Sequence, residues 1–188
     1  MESPNETQLT CGSYGYEKDA EAAFDAVAEQ SGLFTIYKEV PGVFIQPPAF
    51  KNHKGKLRLD RVLIPKPKLR DAGWTQGVIG VEIKRSGQKI GPFISQMLDY
   101  MRCVWISPIG VKVILDYCFL FPAEKTHNEI ASILAQNRIG TACLRYALGN
   151  EYYRLQFFCG EQSRLYYYIN EDKIEVKNLS FGKKAGSR

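Results

Sequence analysis

Between Val78 and Lys84 the chain reads VIGVEIK, an apolar, β-branched run that ends in charge. A run of this kind predicts a buried strand. Successive side chains of a strand point to opposite faces, so Val78, Gly80, Glu82 and Lys84 share one face and Ile79, Val81 and Ile83 the other. Glu82 and Lys84 therefore stand side by side at a strand end. A Glu-x-Lys triplet is uninformative by itself, because charged residues are common in any chain. Its position is what matters, since charge at the end of a buried strand is costly without a partner or a purpose.

The segment Leu57 to Ile64 (LRLDRVLI) is also rich in leucine and β-branched residues, and Pro65, Pro67 and Gly73 break the chain between the two runs. They read as neighbouring strands joined by a long hairpin loop. Pairing them brings Asp60 close to Glu82. Two carboxylates that near each other raise one another's pKa unless a cation lies between them. Mg²⁺ takes one or two carboxylates and fills its other positions with water and phosphate oxygens. A bound ion lowers the pKa of its water and stabilises charge on a phosphate under attack. Lys84 can orient that water or offset the phosphate charge.

After Gly91-Pro92, the stretch Phe93 to Val104 (FISQMLDYMRCV) predicts a helix with an apolar stripe of Phe93, Met97, Tyr100, Met101 and Val104. Pro92 suits its first turn. Gln96 and Tyr100, four residues apart, lie on one face. The ordinary reading makes them a boundary amide and a core aromatic. The functional reading aims an amide and a phenol at the strand ends, where they can hold a phosphate or a metal-bound water.

Asp60, Val81-Glu82-Ile83-Lys84 and Gln96-x-x-x-Tyr100 together resemble the PD-(D/E)xK nuclease superfamily, particularly its QxxxY-bearing RecB-type, lambda-exonuclease-like or resolvase-like branches. The resemblance implies an α/β fold with a restriction-endonuclease-like αβββαβ core, in which a mixed central sheet is flanked by helices. It implies Mg²⁺, with Mn²⁺ as a substitute, held by Asp60, Glu82 and the carbonyl of Ile83. Lys84 would assist the attacking water, and Gln96 and Tyr100 would position substrate or metal. Tyr16 to Gln30 (YEKDAEAAFDAVAEQ) is an amphipathic helix carrying Glu17, Glu21, Asp25 and Glu29. Of these, Glu21 best matches the helix glutamate of resolvase-like members, with a solvated acidic face as the plain alternative. Leu59 stands where the motif's name has proline, a position that varies within the superfamily. The cysteines at 11, 103, 118, 143 and 159 are widely scattered, which argues against an Fe–S cluster.

A chain of 188 residues suits one domain, with a core over about 16–120, a C-terminal helix and strand extension over about 121–180 and a basic tail over 181–188. Five cysteines without paired spacing fit a reducing compartment, and Met1 to Thr10 is no secretory signal, so a cytoplasmic protein is expected. The longest apolar stretch, Val111 to Phe121, is interrupted by Asp116, so no membrane span is expected. The size favours a stand-alone nuclease of phage or mobile-element style. No Ser-His-Asp arrangement competes, because His53 and His127 are the only histidines.

The net charge of +5 has the sign expected for a polyanion partner. Lys51, His53, Lys54, Lys56 and Arg58 precede Asp60, Lys66, Lys68 and Arg70 fill the hairpin loop, and Arg85 and Lys89 follow Lys84. These read as a ring of cations that draws a phosphate backbone to the acidic centre. Trp74 can stack on a base or cap the hairpin. Leu33 to Val40 and Gly42 to Gln46 read as extended, Gly110 to Leu120 as a buried strand and Asn128 to Arg138 as a short helix. Thr141 to Ala147, Tyr152 to Phe158 and Leu165 to Asn170 read as strands that extend the sheet, so Tyr166, Tyr167 and Tyr168 serve strand packing. The expected activity is Mg²⁺-dependent hydrolysis of DNA phosphodiesters by metal-activated water, as an endonuclease or exonuclease in recombination, repair, replication or restriction. The expected products carry 5′-phosphate and 3′-hydroxyl ends, from duplex, single-stranded or branched DNA, with the protein as a homodimer or higher oligomer. The alternatives are a binding or assembly module that keeps the fold without turnover, and an RNA-directed nuclease.

Overall fold

The computed structural model describes residues 9–47, 57–75, 77–123, 128–147, 152–160 and 163–177. Lys51, His53, Lys54, Lys56 and the basic tail lie outside the described residues. In chain order the elements are β1 (Thr10–Cys11), α1 (Glu17–Ser31), β2 (Phe34–Phe44), β3 (Leu57–Pro65), α2 (Pro67–Asp71), β4 (Val78–Ile83) and α3 (Gly91–Tyr100). They continue with β5 (Cys103–Ile106), β6 (Lys112–Phe121), α4 (Asn128–Gln136), β7 (Ile139–Tyr146), β8 (Tyr152–Cys159), β9 (Ser163–Tyr168) and β10 (Lys173–Lys177). This is a mixed α/β fold built on a large mixed sheet, with four helices among the described residues.

Strand order across the sheet is β10-β9-β8-β7-β6-β4-β3-β2-β5. The β4–β6 and β6–β7 pairs are parallel and the other pairs antiparallel. Each parallel pair needs a crossover, supplied by α3 with β5 in one case and by α4 in the other. β5 pairs with the end of β2 on one side and the start of β6 on the other, so five strands curl into a closed ring at that end. β7, β8 and β9 continue the same sheet, as their strand-like segments predict, and β10 adds a further edge strand that the sequence reading does not include.

Two apolar cores form on opposite faces of the sheet. Helix α1 buries Ala20, Phe24, Val27 and Ala28, and Phe24 meets Phe121 of β6 at 5.0 Å and Phe157 of β8 at 6.4 Å between ring centroids. One helix thus clamps the central strands and the C-terminal strands together. It ends where Gly32 adopts φ 64 and its N–H closes on the Glu29 carbonyl, a left-handed cap that glycine accepts without strain. On the other face, Met97 and Tyr100 of α3 pack against Leu59, Val62, Trp105, Leu115 and Leu120.

The hairpin loop holds a short helix, α2, and β1 and β10 are strands outside the expected set. The expected helix stripe runs through Val104, yet α3 stops at Tyr100 and Val104 belongs to β5. Cys103 to Ile106 is β-branched and aromatic, and pairing with two strands outweighs one more helical turn. The two extended segments split around Pro41 are one strand, β2, in which Glu39 takes φ 54 and Pro41 still aligns with Arg58. Gly42 allows the Trp105 ring to lie against the β2 backbone, because a Cβ there would sit 2.7 Å from a ring carbon. Among the described residues no helix is long and apolar enough to cross a membrane.

Candidate active site

β3 and β4 pair antiparallel with Arg61 opposite Val81 and Leu63 opposite Ile79. One step further, this register sets Asp60 opposite Glu82. The ladder closes there through a side chain, because the Ile83 N–H donates to Asp60 Oδ2 at 2.6 Å. Ile79, Val81 and Ile83 enter the core under α1, as the period of two predicts. Glu82 faces the other way, towards α3, with its side chain 4% exposed.

Four oxygen-bearing groups surround the Lys84 ammonium. Nζ lies 2.9 Å from Glu82 Oε1, 3.8 Å from Asp60 Oδ2 and 3.5 Å from Glu17 Oε1, and it donates to the Ile83 carbonyl at 2.8 Å. The two carboxylates and the carbonyl named from the sequence thus meet at one point, occupied by a cationic side chain. From α3, Gln96 Nε2 donates to Glu82 Oε1 at 3.1 Å and to the Tyr100 hydroxyl. That hydroxyl stands 3.0 Å from Glu82 Oε2 and 3.2 Å from the Arg58 carbonyl, either of which can take its proton. The Tyr100 ring, held edge-on by Trp105 at 5.2 Å, gives the hydroxyl a fixed position.

Burial and the charge of Glu82 push the Asp60 carboxyl up to about 7. Burial also raises Glu82, against the pull of Lys84 and Tyr100. Burial alone would lower Lys84, but Glu82, Asp60 and Glu17 outweigh it and hold the ammonium firmly charged. One ammonium cannot neutralise three carboxylates, so the cluster is short of positive charge.

No known protein-family model, curated protein or solved structure matches the chain. The site therefore has to be judged on its own donor set. No group of three or more His, Cys, Asp or Glu side chains among the described residues is arranged to hold a metal ion. The set here is two carboxylates plus a main-chain carbonyl, all hard oxygens. That suits an ion such as Mg²⁺, which leaves its remaining positions to water and phosphate, and does not suit Zn²⁺, which favours nitrogen and sulfur. In this structure the focus of these oxygens is taken by the Lys84 ammonium. The cysteines offer no rival chemistry, since burial pushes Cys103 up to about 11 and Cys159 to about 12.

Several of the sequence-derived residues lie elsewhere. Glu21 is bound to Arg61 Nη2 at 3.1 Å, on the α1 side of the sheet. Glu17, one turn earlier, is the helix acid that reaches the cluster. The hairpin cations do not encircle the carboxylates, because β3 runs from Asp60 towards the hairpin. At ~3.3 Å per residue the six steps from Asp60 place Lys66 roughly 20 Å away. Lys68 there binds Asp172 at 2.6 Å and the Ser31 carbonyl at 3.3 Å, and Arg70 is exposed in α2. Trp74 cannot stack on a base. It is 2% exposed, packs on Tyr117 at 5.7 Å and points its indole N–H at the Gly77 carbonyl at 3.5 Å. Arg85 and Lys89 are exposed on the loop that leaves Lys84.

Arg61 escaped the sequence reading. It is 2% exposed, donates to Asp25 Oδ1 at 2.7 Å and Oδ2 at 3.0 Å, and donates to the Asp60 carbonyl at 2.7 Å. The signal was present, since an arginine inside an apolar strand requires buried acids, and Glu21 and Asp25 stand four apart on α1.

Proposed function

We propose that the protein is a Mg²⁺-dependent DNA nuclease of the PD-(D/E)xK type, whose α1, β2, β3, β4, α3 and β6 form a restriction-endonuclease-like core. The observation that carries this reading is the convergence of Asp60, Glu82 and the Ile83 carbonyl on the Lys84 ammonium, with Gln96 and Tyr100 fixing Glu82 from behind.

In this reading Asp60, Glu82 and Ile83 hold the ion. Once bound, it supplies a water of lowered pKa and positive charge for the phosphate. Gln96 and Tyr100 keep Glu82 in one orientation, so the carboxylate needs no reorganisation when the ion arrives. Lys84, the neighbour of Glu82 on the strand face, hydrogen-bonds the attacking water or neutralises the scissile phosphate. The Ile83 N–H holds the Asp60 carboxylate in place through its Oδ2, so Asp60 would need little reordering to help hold an ion.

The test is incubation with labelled plasmid, linear duplex, single-stranded DNA and RNA, with Mg²⁺ or with EDTA. DNA is cut with Mg²⁺ and survives with EDTA. Glu82→Ala and Lys84→Ala lower the rate by more than ~100-fold, above the ~10–100-fold cost of losing a group that only orients a ligand. Cleavage by either variant at the wild-type rate would remove the site assignment, and preferential cleavage of RNA would change the substrate class.

A further inference from the structure

We infer that the shallow cleft between residues 13–15 and 85–88 is a phosphate subsite, which holds the nucleic-acid strand beside the scissile linkage. The inference rests on the nuclease reading above and extends it from the reacting atoms to the path of the strand. The cleft has a volume of about 350 Å³ and is lined by Ser13, Gly15, Arg85, Gly87 and Gln88, together with Tyr14 and Ser86. It begins one residue beyond Lys84. Arg85 follows Lys84 directly, so the cleft adjoins the strand end that carries the carboxylates. A strand laid across that end meets both.

The lining chemistry is the reverse of the metal site's. Among the described residues no carboxylate lines the cleft and its one cation is Arg85, whose planar fork matches phosphate oxygens. Ser13 and Gln88 add neutral hydrogen-bonding groups. A Cβ built on Gly15 meets nothing within 4 Å, so bare backbone faces open space there. The Glu17 carboxylate, two residues after Gly15, is turned to the Lys84 ammonium at 3.5 Å.

The walls are held as a unit. Ser86 N–H donates to the Tyr14 carbonyl at 3.0 Å and Tyr14 N–H donates to Ser86 Oγ at 2.7 Å. The Tyr14 hydroxyl lies 3.0 Å from that of Tyr146, and its ring lies 5.9 Å from Phe121, whose carbonyl accepts the Lys84 N–H at 2.7 Å. The cleft is thus pre-organised and fixed relative to Lys84, which lowers the cost of ordering a ligand in it.

Anisotropy titration of a labelled oligonucleotide in EDTA separates binding from cleavage. Arg85→Gln weakens binding about tenfold, the effect of one charged hydrogen-bonding group, and lowers the slope of log affinity against log salt by roughly 0.7–0.9, the equivalent of one phosphate. Gly15→Val, which fills the cleft and leaves every charge in place, weakens binding to a similar degree. Arg85→Lys keeps the salt slope and recovers part of the affinity. Unlabelled oligonucleotide competes, whereas inorganic phosphate or a mononucleotide at equal concentration does not. Competition by those small anions instead would make the cleft a free-anion site and overturn the strand subsite. If wild type binds and cleaves DNA while Arg85→Gln and Gly15→Val bind as wild type does, the subsite is refuted and the nuclease reading stands. If the variants weaken binding but wild type cuts nothing with Mg²⁺, the nuclease reading fails and the phosphate subsite survives it.

Discussion

Asp60 and Arg61 are consecutive on β3, and each anchors a cluster of buried charge on its own side of the sheet. Around Arg61 stand Asp25 and Glu21, and Lys38 adds contacts to Asp25 at 2.7 Å and Glu29 at 3.2 Å, so two cations face three carboxylates. Around Lys84 one cation faces Asp60, Glu82 and Glu17. The carboxyl groups register the difference. Burial alone would raise Asp25, but its bonds to Arg61 and Lys38 hold it below the ordinary value, whereas burial and Glu82 carry Asp60 up to about 7. Buried charge alone is therefore no mark of a functional site. What separates the clusters is how much of the countercharge the protein supplies itself.

The sharpest way to break this contrast is to remove one charge from each side. Asp60→Asn keeps an oxygen for the Ile83 N–H while deleting the charge. Mg²⁺ affinity by calorimetry is expected to fall by more than ~100-fold, beyond the loss from disturbing an orienting group. The metal-free protein at pH 8 should melt no lower than wild type, since a buried repulsion has been relieved. On the other side, Arg61→Met leaves Asp25 and Glu21 without their guanidinium. The expected loss is about 3 kcal/mol in denaturant unfolding, the low end for breaking a buried pair, with Mg²⁺ binding kept in the folded fraction. Exchange of these two phenotypes, with Asp60→Asn unfolding and Arg61→Met merely losing metal, would invert the comparison.

The parts of this arrangement that depend on local period were legible in the sequence. Alternation in VIGVEIK assigned Glu82 and Lys84 to one face, and the four-residue spacing of Gln96 and Tyr100 put both on one side of α3, where they meet Glu82. The parts that depend on how elements dock were not. Whether Glu17 or Glu21 reaches the strand end depends on how far α1 slides along β4, and both residues lie on the same helix face. The end of α3 was set by β2 and β6, whose pairing with Cys103 to Ile106 is remote in sequence. The hairpin cations Lys66, Lys68 and Arg70 lie apart for a different reason. Nearness in sequence suggests nearness in space, but an extended strand carries Lys66 away from Asp60 faster than any other conformation.

Acidity separates the clusters in sign. The raised Asp60 pKa means that between pH 3.8 and about 7 the folded protein retains a proton that the unfolded chain has lost. Metal-free stability should therefore fall as pH rises through that window, with a slope of up to about 1.4 kcal/mol per pH unit from Asp60, to which the raised Glu82 adds with the same sign. The lowered Asp25 pKa acts the other way, so its contribution is present above 3.8 and lost as pH falls further. Urea unfolding in EDTA across pH 3 to 8 should show both limbs. Asp60→Asn should flatten the upper one and leave the lower, and a steep upper limb persisting in that variant would assign it to another group. Saturating Mg²⁺ should offset the upper limb, because the ion binds the ionised carboxylates and stabilises only the folded state.

The smallest effect tests whether burial or pairing gives the Arg61 cluster its strength. Lys38 touches two carboxylates, as Arg61 does, and its ammonium is likewise raised, chiefly by its bond to Asp25. Its side chain, however, is 48% exposed against 3% for Arg61. Water can replace Lys38 at Asp25 but not the guanidinium. Lys38→Ala should therefore cost only about 0.5 kcal/mol, within the range for exposed pairs, and the cost should shrink further in 1 M salt. The Arg61→Met loss should hardly respond to salt. Equal losses from the two variants, or equal screening of them, would show that the number of ion pairs and not their removal from water sets the balance on that side of the sheet.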